Sequence, residues 1–196
     1  MRRRQFLLSS SAAVAAGGLA LAGCTTTPLG SGNSAAQNAA KRNSIDASVD
    51  ATLTRLFNTV TGSQELISKA SGVLVFPSVI SAGFWIGGQY GTGALRINGR
   101  TDGYYSTVAG SFGLQIGAQS KAIIFAFMNQ GALDDFLKSQ GWAAGADATV
   151  AVVTVGANGN VDTSTATSPV EAFVLTNAGL MAGVSLEGVK VSRLVI

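Results

Sequence analysis

The chain has 196 residues, 47% of them apolar and only 12% charged, with 25 glycines and no histidine; this excludes a disordered chain and fits one folded domain rich in strands and turns. Of its thirteen basic residues, Arg2, Arg3 and Arg4 lie in a leader expected to be removed, which leaves ten against ten acidic ones and no basic footprint for nucleic acid. The lack of histidine excludes the triads and zinc sites that need it, and a lone cysteine makes no intramolecular disulfide.

In chain order, the three arginines form a positive n-region, residues 6–22 an apolar stretch, and Ala22-Gly23 supply small residues before Cys24. This is signal-peptide architecture, and Ser9, Ser10 and Ser11 interrupt a stretch already short for a membrane span. Leu21-Ala22-Gly23-Cys24 resembles the bacterial lipobox, which implies an acylated Cys24. Several acyl chains make such an anchor effectively permanent. Arg3-Arg4-Gln5-Phe6-Leu7 also resembles a twin-arginine signal, so export by either that route or the general secretory one is open. Thr25, where aspartate would favour inner-membrane retention, points to the outer membrane, periplasmic face. Three segments follow: a leader over 1–23, a lipidated flexible tether over 24–43 with a reach of about 25 Å, and a domain over 44–196.

Ile45, Val49, Leu53, Leu56, Phe57 and Val60 recur at helical spacing after Ser44, a candidate N-cap, with Asp46 and Asp50 in the early turns and Gly62 as a stop. Further short helices are expected over 63–70 and 132–140, the latter preceded by Asn129 or Gln130. Strands are expected over 73–76, 83–97, 104–119, 122–128, 149–155, 171–176 and 180–195, with turn dipeptides at Asn98-Gly99, Asp102-Gly103 and Asn158-Gly159. The fold class expected is α+β, strand-dominant: a curved, mainly antiparallel sheet or partly closed barrel with an N-terminal amphipathic helix and short accessory helices.

Gly83 and Gly87, Gly113 and Gly117, and Gly179 and Gly183 recur at spacing four, which in a strand puts each pair on one face. Such glycines either relieve crowding in a coiled sheet or leave a smooth slot for an acyl chain. No phosphate loop occurs, and Gly110-Ser111-Phe112-Gly113 is one residue short of a nucleophile elbow. Asp134 and Asp135, adjacent on a helix, diverge and make a poor catalytic pair. No catalytic residue, metal site or cofactor is expected, and the chain is not read as an enzyme.

The segments Gly72-Val73-Leu74-Val75-Phe76-Pro77, Gly83 to Gly93, Gly113 to Gln119 and Ala178 to Gly188 together resemble the SYLF domain, from about Ser44 to the C-terminus. The resemblance implies a lipid-binding domain. Eukaryotic members bind phosphoinositides, partly through a basic amphipathic N-terminal helix, and some are associated with actin; bacterial members are commonly lipoproteins. Here that helix carries only Arg55, with Lys41 and Arg42 just before it, a departure from the family's basic cluster. The expected function is phospholipid binding by a membrane-anchored envelope lipoprotein, with Lys41, Arg42, Arg55 and Lys69 toward head groups and the apolar stripe toward acyl chains. The alternative is a structural or protein-interaction lipoprotein with no specific lipid. Expected partners are membrane lipid through Cys24 and phospholipid head groups, with no nucleic acid and no identified protein.

Overall fold

The computed structural model describes residues 35–113, 119–154, 161, 168–181 and 183–196, with side chains except at 82–86 and 111–113; the leader, Cys24, Gly117 and the Asn158-Gly159 turn lie outside the described residues. Within them run three helices, α1 (Ala35–Thr59), α2 (Ser63–Lys69) and α3 (Gln130–Lys138). Eight strands accompany them: β1 (Gly72–Ile97), β2 (Arg100–Gly113), β3 (Gln119–Phe127), β4 (Trp142–Ala143), β5 (Val150–Val152), β6 (Val170–Thr176), β7 (Gly179–Leu180) and β8 (Lys190–Arg193). They form one sheet in the order β4-β8-β2-β1-β3-β6-β5, with β7 on β6. Only the β5–β6 ladder is parallel. The sheet curls into a half-barrel, so the strand-dominant α+β class read from the sequence is the class found.

β1 carries the curl. Its first residues pair with β3, from Gly72 opposite Phe127 to Ser81 opposite Gln119, and its second half with β2, from Trp85 opposite Gly113 to Ile97 opposite Arg100. Two strands were expected here, separated at Pro77. They are continuous because the register shifts between Phe76 and Val79, and a bulge there relieves proline of the ladder N–H it lacks. Where β1 comes back on itself, glycine is required. A Cβ on Gly93 would overlap the Val75 carbonyl oxygen and lie 2.8 Å from the Phe76 ring, and one on Gly91 would lie 2.8 Å from the Ser78 carbonyl oxygen. Any side chain here would push the two halves of the strand apart.

Both faces of the sheet centre are covered, so Ala122–Phe127 and Val170–Leu175 read as nearly unbroken buried runs rather than alternating ones. One core joins Phe76, Leu95, Phe125 and Phe127 with Phe136 of α3, Trp142 of β4 and Val150 and Val152 of β5. It collects side chains from both ends of the strand order, so it is the face enclosed by the curl. The opposite core seats Ile45, Val49 and Leu56 of α1, Val60 just after it and Leu66 of α2 on Val73, Val75, Ile124 and Phe173.

A polar clamp fixes α1 to the sheet. Asp46 accepts from the Thr101 hydroxyl and the Tyr104 hydroxyl, each at 2.8 Å. Arg96, whose side chain is only 14% exposed, reaches Asp50 at 2.7 Å and Asp46 at 3.4 Å and donates to Thr101. Desolvation, and then the bond to Asp46, raise the Tyr104 hydroxyl pKa above 10.0.

Several sequence expectations move. Ser44 is not the N-cap of α1: the helix begins at Ala35 and takes in residues 35–43, expected to be tether, because Ala35, Ala36, Ala39 and Ala40 are strong helix formers. Asp102-Gly103 is not a turn but part of β2; Asn98 and Gly99, both at positive φ (50° and 76°), turn the chain instead. The strand expected over 180–195 is broken into β7 and β8, with Gly183 (φ 71°) and Gly188 (φ 77°) in the left-handed region between them. Gly179, at φ 118°, opens β7, but Gly183 lies outside any strand, so the third glycine pair shares no strand face. α3 runs from Gln130 and not from 132, and of the two residues expected to precede it Asn129 is the cap, its side chain accepting from the Ala132 N–H at 2.8 Å.

Two predictions follow from this packing. Gly93→Ala should destabilise the domain by about 3 kcal/mol, the upper end of overpacking costs, whereas Gly88→Ala should leave the denaturant midpoint unchanged or slightly raised, since nothing lies within 4 Å of the added carbon. The second concerns Glu171, buried in β6 between Ala126 and Ala151, with Oε1 lacking a partner among the described residues. Desolvation raises its pKa above the ordinary 4.5, against a lowering by the Ser168 backbone bond. The folded state therefore prefers the protonated acid, and this stability is full below the unfolded pKa and lost as pH rises through the folded one. Urea midpoints measured from pH 4 to 8 should fall more steeply for the wild type than for Glu171→Gln; parallel curves would refute the assignment.

Candidate functional site

The four expected head-group cations are not gathered into one cluster. Lys41 and Arg55 are exposed on α1, and fourteen residues of helix put them on nearly the same side about 21 Å apart. Arg42 instead donates to the Ile196 carbonyl oxygen at 2.7 Å, which ties the end of the chain to α1. Lys69 pairs with Glu65 one turn earlier on α2 at 2.7 Å, with both side chains more than half exposed, a screened contact that releases the lysine readily. The apolar stripe expected to face acyl chains is the packing face of α1: Ile45, Val49 and Leu56 are buried on the sheet and Leu53 and Phe57 pack beside them. The stripe cannot enter a bilayer while this core is intact.

The glycine-lined sheet divides into a filled part and an open part. Gly91 and Gly93 are filled by the returning half of β1. Gly88 and Gly110 face each other across the β1–β2 ladder, and among the described residues neither would bring a Cβ within 4 Å of another atom. The next pair along that face is Tyr90 opposite Val108, which are 53% and 47% exposed. Alternation places them on the side of Ala94 and Tyr104, the side that α1 covers farther along the ladder. Lys190 of β8 stands opposite Val108, is exposed, and forms no ion pair among the described residues. The result is a smooth apolar shelf beside α1, bordered by one cation. Period-two spacing reveals in the sequence that Gly88 and Tyr90 share a face; nothing in it says that α1 stops short of them.

A second concavity of about 570 Å³ lies at the free edge of β5. Val150, Val152, Val184 and Leu186 give it apolar walls, and Ser185 and Glu187 are polar residues at its margin. Its far wall belongs to the 178–188 segment that carries part of the SYLF resemblance. Among the described residues no group of three or more acidic or thiol side chains could hold a metal ion, and no helix is long and apolar enough to cross a membrane.

A family model described as Ysc84, Las17-binding protein actin regulator, matches residues 108–193. The match begins at Val108 in the exposed part of β2 and runs through β8, taking in both walls of the β5 groove. It leaves out α1, α2 and β1, to which the sequence resemblance extends. No curated protein matches the chain. The match over residues 108–193 is to a Ysc84 (SYLF) domain, consistent with the SYLF-domain family that the motifs quoted from the sequence resemble.

Proposed function

We propose that this chain is a non-catalytic envelope lipoprotein, held by acylated Cys24, whose SYLF domain binds phospholipid through the open face of the β1–β2–β8 sheet. The observation that carries this reading is the shelf itself: Gly88 and Gly110 open, Tyr90 and Val108 exposed, Lys190 beside them. A tyrosine ring with an apolar body and a polar tip suits the interface between head groups and acyl chains, and the glycines let that surface come close to the backbone. The shelf and the outer side of α1 lie on one side of the sheet, so Lys41 and Arg55 can face the same lipid surface as Lys190. An anchor at Cys24 makes the domain's encounter with the bilayer intramolecular, so a weak face suffices.

The second reading is an envelope protein that contacts other proteins and no specific lipid. The family description favours it, since it names a protein ligand and actin regulation; actin itself does not suit a periplasmic site.

Cys24→Ala should abolish labelling by palmitate and release the chain from the membrane fraction, and undiminished labelling would remove the anchor from the account. With Cys24→Ser to eliminate the anchor, the full chain should sediment with phosphatidylglycerol vesicles more than with phosphatidylcholine vesicles, and salt should weaken binding. Tyr90→Asp combined with Val108→Asp should abolish sedimentation, and Lys190→Glu should reduce the anionic preference severalfold. Lys41→Ser with Arg55→Ser should reduce it less. Sedimentation that ignores the Tyr90 and Val108 changes would transfer the reading to protein contact.

A further inference from the structure

We infer that the free edge of β5 and the groove beside it form a binding site for an extended peptide segment of a partner protein, one that carries a lysine or arginine opposite Glu187. The site uses none of the shelf residues and stands whether or not the domain binds lipid.

Strand order ends at β4 on one side and β5 on the other, yet the two are joined by the short turn 144–149, so the seam of the half-barrel lies between them. The β4 side is closed. The Ala143 N–H donates to the Asp147 carboxylate at 2.7 Å and the Asp147 N–H returns to the Ala143 carbonyl at 2.9 Å, so the local turn caps that edge. The β5 side has no such cap among the described residues. Val152 is opposite Ala172 of β6, and the N–H of the following Val153 donates to the Ala172 carbonyl at 2.8 Å. Peptide groups along a strand alternate between its two edges, so those of Val150 and Val152 turn away from β6, toward the open side. Proteins usually blunt such an edge with lysine, proline or a bulge; Val150-Ala151-Val152 has none of these.

The chemistry of the occupant follows from what the edge and groove present. Outward N–H and C=O groups call for another backbone, which an acyl chain cannot supply. Val150, Val152, Val184 and Leu186 suit the apolar side chains of alternate residues on an added strand. Among the described residues Glu187 is the one charged residue lining the groove; it is exposed and makes no ion pair with them, so it favours a cationic side chain.

The test uses the purified full chain and a fluorescein-labelled heptapeptide, Thr-Val-Thr-Lys-Thr-Val-Thr, with versions that carry glutamate or proline at the central position. The lysine peptide should bind about tenfold more tightly than either, the size of one charge-assisted contact or one lost strand bond. Val152→Pro removes an outward N–H and leaves the β6 ladder alone, so it should abolish peptide binding; the loss of the valine side chain from the enclosed core should lower the thermal midpoint without unfolding the domain. If that variant fails to fold, Glu187→Lys at an exposed position decides instead, by reversing the preference toward the glutamate peptide. Failure of all three peptides to bind the wild type at millimolar concentration, or a preference that Glu187→Lys leaves unchanged, overturns the inference. Radiolabelled palmitate that binds here, survives Val152→Pro and is not displaced by the lysine peptide would assign the groove to an acyl chain and overturn it as well.

Discussion

The rest of the structure depends on the backbone contact between Gly93 and the Val75–Phe76 peptide. A strand of 26 residues would extend for about 85 Å if straight; this one curls until its second half lies against its first, and only glycine leaves room for that approach. The enclosed aromatic core of Phe76, Phe125, Phe127, Phe136 and Trp142 forms because the curl brings β4 and β8 around toward the strands at the other end of the order. The seam at β5 and the exposed shelf are its two residues: the first because the sheet stops short of closure, the second because one helix cannot cover the whole outer face.

Local chemistry made much of this legible in the sequence. Asn98-Gly99 offers two residues that tolerate positive φ, and Asn129 offers an oxygen to the first turn of α3; each acts within four residues, so each could be read directly. What escaped was decided by distant partners. Asp46 and Asp50 look like solvated helix-start charges, and only the fold brings Arg96, Thr101 and Tyr104 to them. Pro77 argues for a break, and the bulge that accommodates it is set by β3. The Ala-rich residues 35–43 read as tether by composition, whereas Arg42 gains the chain's last carbonyl as a partner and the helix continues.

The glycines show how one sequence feature can have opposite meanings. Gly91 and Gly93 serve close packing, Gly179 and Gly183 take positive φ, and Gly88 and Gly110 do neither, since no described atom stands where their side chains would be. Spacing alone treats all of them alike. An open pair with Tyr90 and Val108 alongside is a surface that solvent gains nothing from, and under the proposed anchoring at Cys24 a bilayer is at hand to cover it. The apolar stripe of α1, by contrast, is buried in the core, which is why the lipid contact proposed above is placed on the sheet and not on the helix.

The measurement that tests this most directly is the environment of a probe on the shelf. In the Cys24→Ser background, Val108→Cys and Asp135→Cys can each be labelled with an environment-sensitive nitrobenzoxadiazole dye, the first on the shelf and the second on the exposed side of α3, which packs on the opposite face of the sheet. Phosphatidylglycerol vesicles should shift the emission of the Val108 label to the blue and leave the Asp135 label unchanged. A shift at Asp135 alone, or at neither position while the chain sediments with the vesicles, would contradict a sheet-face contact with lipid.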